Sequence, residues 1–170
     1  MKSVYMALIG IFDVYISTHK LMLGGLFIAP RRNPMSTENE ALVRRFFEEV
    51  DAGNFESARE LVAPDYRDNL PDRAEPATFD ELLEVIKAWH QGFPDLSHSL
   101  DEVFSKDDKV VVRGSTRGTH KGVFMDIDPT GRSLELTFIC IFRIDDGRLA
   151  ERWPQFDFYS WMEQLRAAPE

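Results

Sequence analysis

The chain has 170 residues, of which 44% are hydrophobic and 29% are charged. This length suits a single domain, and this composition is typical of a folded globular protein rather than a disordered one. The net charge of -9 excludes a protein that follows the phosphates of a nucleic acid. The single cysteine, Cys140, excludes an internal disulfide, and the four histidines show no Cys/His spacing of a zinc site. We therefore expect no nucleic-acid partner and no metal.

Residues 1–34 differ in composition from the rest of the chain. They hold four basic residues and one acidic residue, a balance of +3, so residues 35–170 carry -12. Their apolar runs are interrupted by Asp13 and Lys20, whereas a membrane-spanning helix needs about 20 apolar residues in succession. Three interpretations stay open for this extension: an over-extended reading frame or dispensable leader, a signal peptide, and a membrane-associated helix. We expect a cytoplasmic protein, with membrane contact or export only through residues 1–34.

Residues 35–92 show the spacing of helices. Apolar residues recur at helical intervals over residues 41–50, and a second, short helix is predicted over residues 55–62. Residues 69–76, with two prolines and three charges, form a loop. Thr78 then caps a third helix that ends at Gly92.

In the second half of the chain, the spacing at which apolar residues recur changes from 3.6 residues, typical of a helix, to two residues, typical of a strand. Four strand-like segments follow one another, over residues 96–105, 109–120, 133–144 and 148–158. A last short helix is predicted over residues 159–165. Helices followed by an antiparallel meander predict an α+β domain, with three N-terminal helices packed on one face of a strongly curved sheet.

Alternation along the strands predicts which side chains face the helices. His120 lies on the inward face of the second predicted strand. The third strand presents an inward apolar row that includes Phe138, Cys140 and Phe142. Pro154 cannot donate a ladder hydrogen bond, so we expect an edge position or a bulge there, across which the alternation can slip.

Six segments carry a family resemblance by their order and spacing: residues 41–50, 61–66, 92–96, 118–124, 128–132 and 142–149. Together they resemble the SnoaL-like polyketide cyclase family, over essentially all of residues 35–170. The resemblance implies the cone-shaped α+β fold of nuclear-transport-factor-2-like proteins, with a mainly antiparallel sheet, a deep apolar pocket and a homodimer. It implies ring closure by aldol addition, in which a base removes a proton beside a carbonyl and no cofactor is required.

The resemblance also shows where this chain departs from the family. The family's catalytic aspartate falls on Pro154, and its pocket glutamine and histidine fall on Phe138 and Cys140. The cyclase mechanism therefore cannot run with the same residues. His120 and Asp157 match a histidine and an aspartate of the wider family, and we expect them to be the acid–base pair. Each has a structural alternative, since His120 can hydrogen-bond its own loop and Asp157 can cap the last helix.

Further residues are candidates for contacting a small apolar ligand: Tyr66, Asn69, Trp89, Phe124, Phe138, Cys140, Phe142, Trp153 and Gln155. The aromatic members suit a packed core as well, and Cys140 suits an inert core position. Three hypotheses follow. In the first, the chain is a cofactor-independent enzyme that acts on a small apolar carbonyl or ester-like molecule. In the second, it is a non-catalytic binding or accessory domain that uses the same pocket. In the third, core side chains fill the pocket and no ligand binds there. A cavity well below about 300 Å³ would indicate the filled core.

The third predicted strand is apolar on both faces. Ile139 and Ile141 lie opposite the inward row, and an outward apolar patch of this kind often marks an interface. Together with the resemblance, this patch predicts a homodimer. Light scattering that showed only a monomer at micromolar concentration would refute the prediction.

Overall fold

The computed structural model describes residues 34–167 of the chain. The expected N-terminal extension lies outside the described residues except for Pro34, and its boundary at residues 34/35 stays a prediction. Within residues 34–167, no helix is long and apolar enough to cross a membrane.

Four helices and five strands make up the described chain. The helices are α1 (Pro34–Asp51), α2 (Phe55–Glu60), α3 (Phe79–Gly92) and α4 (Phe158–Arg166). The strands are β1 (Val62–Asp68), β2 (Ser97–Lys106), β3 (Lys109–Thr119), β4 (Ser133–Asp145) and β5 (Arg148–Phe156). They form one sheet in the order β1-β5-β4-β3-β2, in which β1 runs parallel to β5 and all other neighbours are antiparallel. The predicted α+β fold with a mainly antiparallel sheet is confirmed.

One predicted element is wrong. The sequence pattern extends the second helix through Val62, whereas the structure ends that helix at Glu60 and begins a strand at Val62. Only Val62, Tyr66 and Asp68 of this strand are buried, so its apolar alternation is too sparse to stand out. The strand forms because it adds to the edge of β5 as a parallel neighbour, a long-range pairing that local patterns do not contain.

The side chains between helices and sheet form two clusters. The first cluster centres on Phe46 and Phe47 of α1 with Phe138 and Phe142 of β4. It forms because Val43, Phe46, Phe47 and Val50 recur at helical spacing and place one face of α1 on the sheet. The second cluster joins residues from α3, α4, β4 and the loops: Phe93, Leu96, Phe124, Leu134, Leu136, Trp161 and Leu165, with Trp89 packed against them.

Local signals fix the helix ends beside these clusters. Thr78 accepts a hydrogen bond from the Glu81 amide, and the Glu81 carboxylate accepts one from the Thr78 amide at 2.8 Å. This reciprocal capping box fixes the first turn of α3 as the sequence predicts. His90, in the last turn of α3, makes a hydrogen bond of 3.0 Å from Nε2 to the Val50 carbonyl. That bond fixes the last turn of α1, where the functional site begins.

Candidate active site

A cavity of about 600 Å³ lies among α1, α3 and the inward side chains of the sheet. Its walls are mainly apolar, and a volume of this size is typical of a site for a small organic ligand. This volume favours an open pocket over a filled core. At its mouth, Val85, Phe156 and Phe158 are partly exposed, and Arg73 pairs with Glu81 at 3.0 Å.

The imidazole of an imidazole–carboxylate pair lines one wall of the cavity. His98 is the second residue of β2, and Asp51 is the last residue of α1. One Asp51 oxygen accepts the His98 backbone amide at 2.9 Å, and the other lies 2.5 Å from the imidazole Nδ1. Only 13% of the His98 side chain and 25% of the Asp51 side chain are exposed. Two contacts from one carboxylate hold the ring in a single orientation.

The carboxylate determines which imidazole nitrogen carries a proton. An ionised carboxylate only accepts hydrogen bonds, so Nδ1 of His98 donates to Asp51. The Nε2 atom then has a free lone pair when the ring is neutral, and it makes no hydrogen bond within residues 34–167. The ring packs on Phe47 and Phe138, with centroid distances of 4.9 Å and 5.9 Å. Asp51 and His98 are therefore arranged as a positioned base on an apolar wall.

A hydroxyl group lies beside this base. Thr116 of β3 is the cross-strand partner of His98, is 7% exposed, and also lines the cavity. Directly paired residues have Cβ atoms about 4.5–5.5 Å apart. The Thr116 hydroxyl can therefore donate to a ligand atom that His98 also reaches.

A buried ion pair lies at another part of the cavity. Arg152 of β5 donates from Nε to Asp68 Oδ1 at 2.8 Å and from Nη2 to Asp68 Oδ2 at 2.6 Å. The Asp68 side chain is 1% exposed and that of Arg152 is 10% exposed. Such a bidentate pair fixes both planar groups.

Four of the predicted ligand-contacting residues line the cavity: Trp89, Phe138, Cys140 and Gln155. Phe138 stacks on Phe47 at a centroid distance of 5.7 Å and forms much of the apolar wall. Burial raises the pKa of the Cys140 thiol to about 11, so the thiol is protonated at neutral pH and is not a nucleophile.

The other predicted ligand contacts lie elsewhere. Phe142 packs inside the first cluster and Phe124 inside the second. Trp153 is half-buried, opposite the inward Arg152 and Pro154, with the Lys109 ammonium 5.9 Å from its ring.

The remaining two, Tyr66 and Asn69, do not line the cavity either. Burial raises the pKa of the Tyr66 hydroxyl, which is packed against Phe79 and finds no hydrogen-bond partner among the described residues. Asn69 donates from its side chain and its backbone amide to the Arg152 carbonyl, at 3.1 Å and 2.8 Å. Asn69 thus fixes the backbone of a residue that does line the cavity.

The expected pair of His120 and Asp157 is not brought together. His120 is fully buried against Phe93, and neither residue lines the main cavity. Asp157 caps α4, where its oxygens accept the Ser160 amide at 3.1 Å and the Ser160 hydroxyl at 2.7 Å. These hydrogen bonds lower the pKa of Asp157. Asp157 borders a small polar pocket with Thr137, on the opposite face of the sheet from His120.

Sequence reasoning missed Asp51, His98, Thr116 and the Asp68–Arg152 pair. A signal for His98 is present, since it alternates inward with Leu100 along β2. An inward arginine on β5 is a second signal, because a buried guanidinium requires a buried carboxylate. No sequence pattern links Asp51 to His98, because only the packing of α1 on β2 brings them together.

No cluster of three or more His, Cys, Asp or Glu side chains suited to a metal ion occurs within residues 34–167.

Comparisons with known proteins agree with this fold. Residues 41–165 match the family model described as SnoaL-like polyketide cyclase. The proposed polyketide cyclase IdmH from Streptomyces antibioticus is 31% identical, with a TM-score of 0.69 over 76% of this chain and 99% of its own. A proposed SnoaL-like polyketide cyclase from Jannaschia sp. CCS1 is 25% identical, with a TM-score of 0.73 over 81% of this chain and 98% of its own.

The same fold occurs in a protein of different description. AclR, a proposed hydroxylase from Streptomyces galilaeus, has a TM-score of 0.72 at 20% identity, over 79% of this chain and 87% of its own. Among curated proteins, none matches this chain.

Proposed function

Because the chain belongs to the SnoaL-like polyketide cyclase family, we propose that it is a cofactor-independent enzyme that moves a proton beside the carbonyl group of a small, largely apolar substrate. The observation that carries this proposal is the contact of Asp51 with the imidazole of His98, which lines the 600 Å³ cavity. A carboxylate-oriented imidazole is a common general base in enzymes. His98 would take the role of the family's catalytic aspartate, whose position Pro154 occupies.

The proposed proton transfer starts with neutral His98. Its Nε2 lone pair bonds to a proton on the carbon beside the carbonyl, and the electrons of that C–H bond form the enolate double bond. The carbonyl π electrons move to oxygen, where the Thr116 hydroxyl donates a hydrogen bond. Asp51 stabilises the imidazolium that results. The enolate then attacks a second carbonyl in the same molecule or recovers its proton at another carbon, and the imidazolium returns the proton to the product.

The apolar cavity strengthens this arrangement. Phe47 and Phe138 flank the imidazole and exclude water from two sides. Hydrogen bonds and charges act more strongly in such a medium than in water. A non-catalytic binding domain needs an apolar lining but no oriented base, so the Asp51–His98 pair favours chemistry over binding alone.

The experiment that tests the proposal measures proton abstraction directly. The protein is incubated with 2-tetralone in D₂O, and loss of the C1 proton signal is followed by NMR. We expect wild-type protein to accelerate exchange, and His98→Gln to lose about 10²–10⁴-fold of that acceleration, the usual contribution of a general base.

A matched control uses the same substitution at the other inward histidine. His120→Gln, checked for folding by circular dichroism, should retain the wild-type exchange rate, because His120 does not line the cavity. Exchange by His98→Gln at the wild-type rate, or no acceleration by wild-type protein over buffer, would contradict the proposal.

The expected homodimer and cytoplasmic location stay predictions. Ile139 on the outward face of β4 is 48% exposed, which supports an interface there without identifying its partner.

A further inference from the structure

The Arg152–Asp68 ion pair has a spare donor edge within the cavity. Two nitrogens of the guanidinium, Nε and Nη2, bind the two Asp68 oxygens. The third nitrogen, Nη1, makes no hydrogen bond within residues 34–167. Arg152 is 8% exposed and lines the cavity. Within residues 34–167 the fully buried side-chain atoms without a hydrogen-bond partner are Tyr66 Oη, His120 Nε2 and Arg132 Nε, so Nη1 of Arg152 is open to the cavity. A polar ligand atom can therefore replace the water that Nη1 binds.

The ion pair is held in place on both of its strands. Asp68 is the last residue of β1, and its backbone exchanges two hydrogen bonds with Ala77, of 2.8 Å and 2.9 Å. Asn69 binds the carbonyl oxygen of Arg152 from two directions. The donor edge is therefore pre-organised, and a ligand that binds there has little ordering to impose.

The position of the pair separates it from the proposed base. Arg152 pairs with Phe142 on β4, whereas His98 pairs with Thr116, which in turn pairs with Leu136. Phe142 and Leu136 are six residues apart along β4, about 20 Å of strand. The backbones of Arg152 and His98 thus lie toward different ends of the cavity, with the Phe138 and Cys140 wall between them.

The charge of the pair selects the kind of ligand atom. Asp68 neutralises Arg152, so the site has donors but no net positive charge. A ligand carboxylate would give up its hydration and meet the negative Asp68 without a free counter-charge. A ketone, ester or amide oxygen accepts a hydrogen bond from Nη1 and brings no charge with it.

We propose that Arg152 binds a neutral carbonyl oxygen of the substrate, remote from the carbonyl at which His98 acts. The substrate class is then an elongated, uncharged, largely apolar molecule with two separated oxygen functions. This inference rests on the proposed function for the shared cavity and for the second carbonyl, whereas binding of an oxygen at Arg152 can be measured without the reaction.

The test compares three ligands of nearly the same shape. 2-Acetylnaphthalene has a neutral carbonyl, 2-naphthoate has a carboxylate, and 2-isopropylnaphthalene has no oxygen. Dissociation constants are measured by equilibrium dialysis against wild-type protein. We expect 2-acetylnaphthalene to bind at least about tenfold more tightly than either of the others, the ratio that one charge-assisted hydrogen bond provides. Tightest binding of 2-naphthoate, equal binding of the acetyl and isopropyl compounds, or no binding of any would overturn the proposal.

Two variants locate the acceptor. The double substitution Arg152→Met with Asp68→Leu removes both charges together, a replacement that buried ion pairs often tolerate. It should abolish the preference for 2-acetylnaphthalene while 2-isopropylnaphthalene still binds. Thr116→Val, of equal size, should leave the preference intact. Loss of the preference in Thr116→Val and its persistence in the double variant would place the oxygen beside His98 and overturn the proposal.

The same measurements distinguish this inference from the proposed function. His98→Gln should keep the binding preference even though it loses proton exchange. A binding preference without exchange activity would leave the Arg152 site standing and remove the base. Exchange activity without the binding preference would support His98 as the base and remove the Arg152 site.

Discussion

Two clusters of apolar, largely aromatic side chains lie between the helices and the sheet, and one inward-facing histidine packs against each. In the first, His98 packs on Phe47 and Phe138, is held by Asp51, and faces the cavity. In the second, His120 stacks on Phe93 at 5.2 Å and has no exposed surface. The same residue type on the same side of one sheet has thus reached two different environments.

The partners of the two rings explain the difference. An ionised carboxylate orients His98, whereas the Thr130 backbone amide donates to Nδ1 of His120 at 3.3 Å. Burial lowers the pKa of His120, and it favours the neutral ring. Phe93, the ring partner of His120, does not line the cavity, whereas Phe138, a ring partner of His98, does. An inward histidine is a candidate base only where a carboxylate orients its ring and the ring also lines a cavity that can hold a substrate.

Truncating one phenylalanine in each cluster should show this contrast in stability. Phe93 is 1% exposed and contacts the rings of Trp89, Phe124 and Trp161, so Phe93→Ala should lower the free energy of unfolding by about 3–5 kcal/mol. Phe138→Ala should cost about 1–2 kcal/mol less, because it enlarges an existing cavity rather than opening a new one. Urea unfolding followed by circular dichroism measures both. Equal costs would indicate that no open volume borders Phe138.

The second cluster should also make stability depend on pH. The pKa of His120 is below its ordinary 6.5 in the folded protein and returns to that value on unfolding. Between these two values the unfolded chain binds more protons, so stability is full above pH 6.5 and falls as pH decreases through it. The slope is at most about 1.4 kcal/mol per pH unit.

Urea unfolding from pH 7 to pH 5 tests this expectation. His120→Gln should flatten the dependence. Asp157→Asn is the matched control, because hydrogen bonds lower the pKa of that carboxyl below 3.8 and it titrates outside this range. An unchanged slope in His120→Gln would mean that His120 titrates alike in both states.

Much of the fold could be predicted because its signals are local. The apolar spacing of α1, the Thr78 capping box and the alternation of β3 and β4 each lie within a few consecutive residues. β1 could not be predicted in this way. Its stability comes from pairing with β5, about 85 residues later in the chain, and its own alternation is interrupted between Val62 and Arg67.

The site was less predictable than the fold because its polar groups act in pairs that join distant segments. Asp51 and His98 are 47 residues apart, and Asp68 and Arg152 are 84 apart. Each of these polar residues, considered by itself, is compatible with a solvent-exposed position at a helix end or on a strand. Lining residues such as Phe138 and Cys140 could be predicted from alternation, since it fixes the face on which a side chain lies.

The smallest expected effect concerns Asp157, which the sequence nominates for catalysis and the structure places at the start of α4. Its carboxylate caps the helix that brings Trp161 and Leu165 into the second cluster. Asp157→Ala should therefore lower the Tm by a few degrees, the usual consequence of losing a cap.

The companion substitution Asp157→Asn keeps an oxygen that can accept from the Ser160 amide, so it should retain most of the Tm. Both variants should exchange the protons of 2-tetralone at the wild-type rate, because Asp157 does not line the cavity. If instead both folded normally and lost exchange, the chemistry would depend on the outer face of the sheet, and His98 would not be the base.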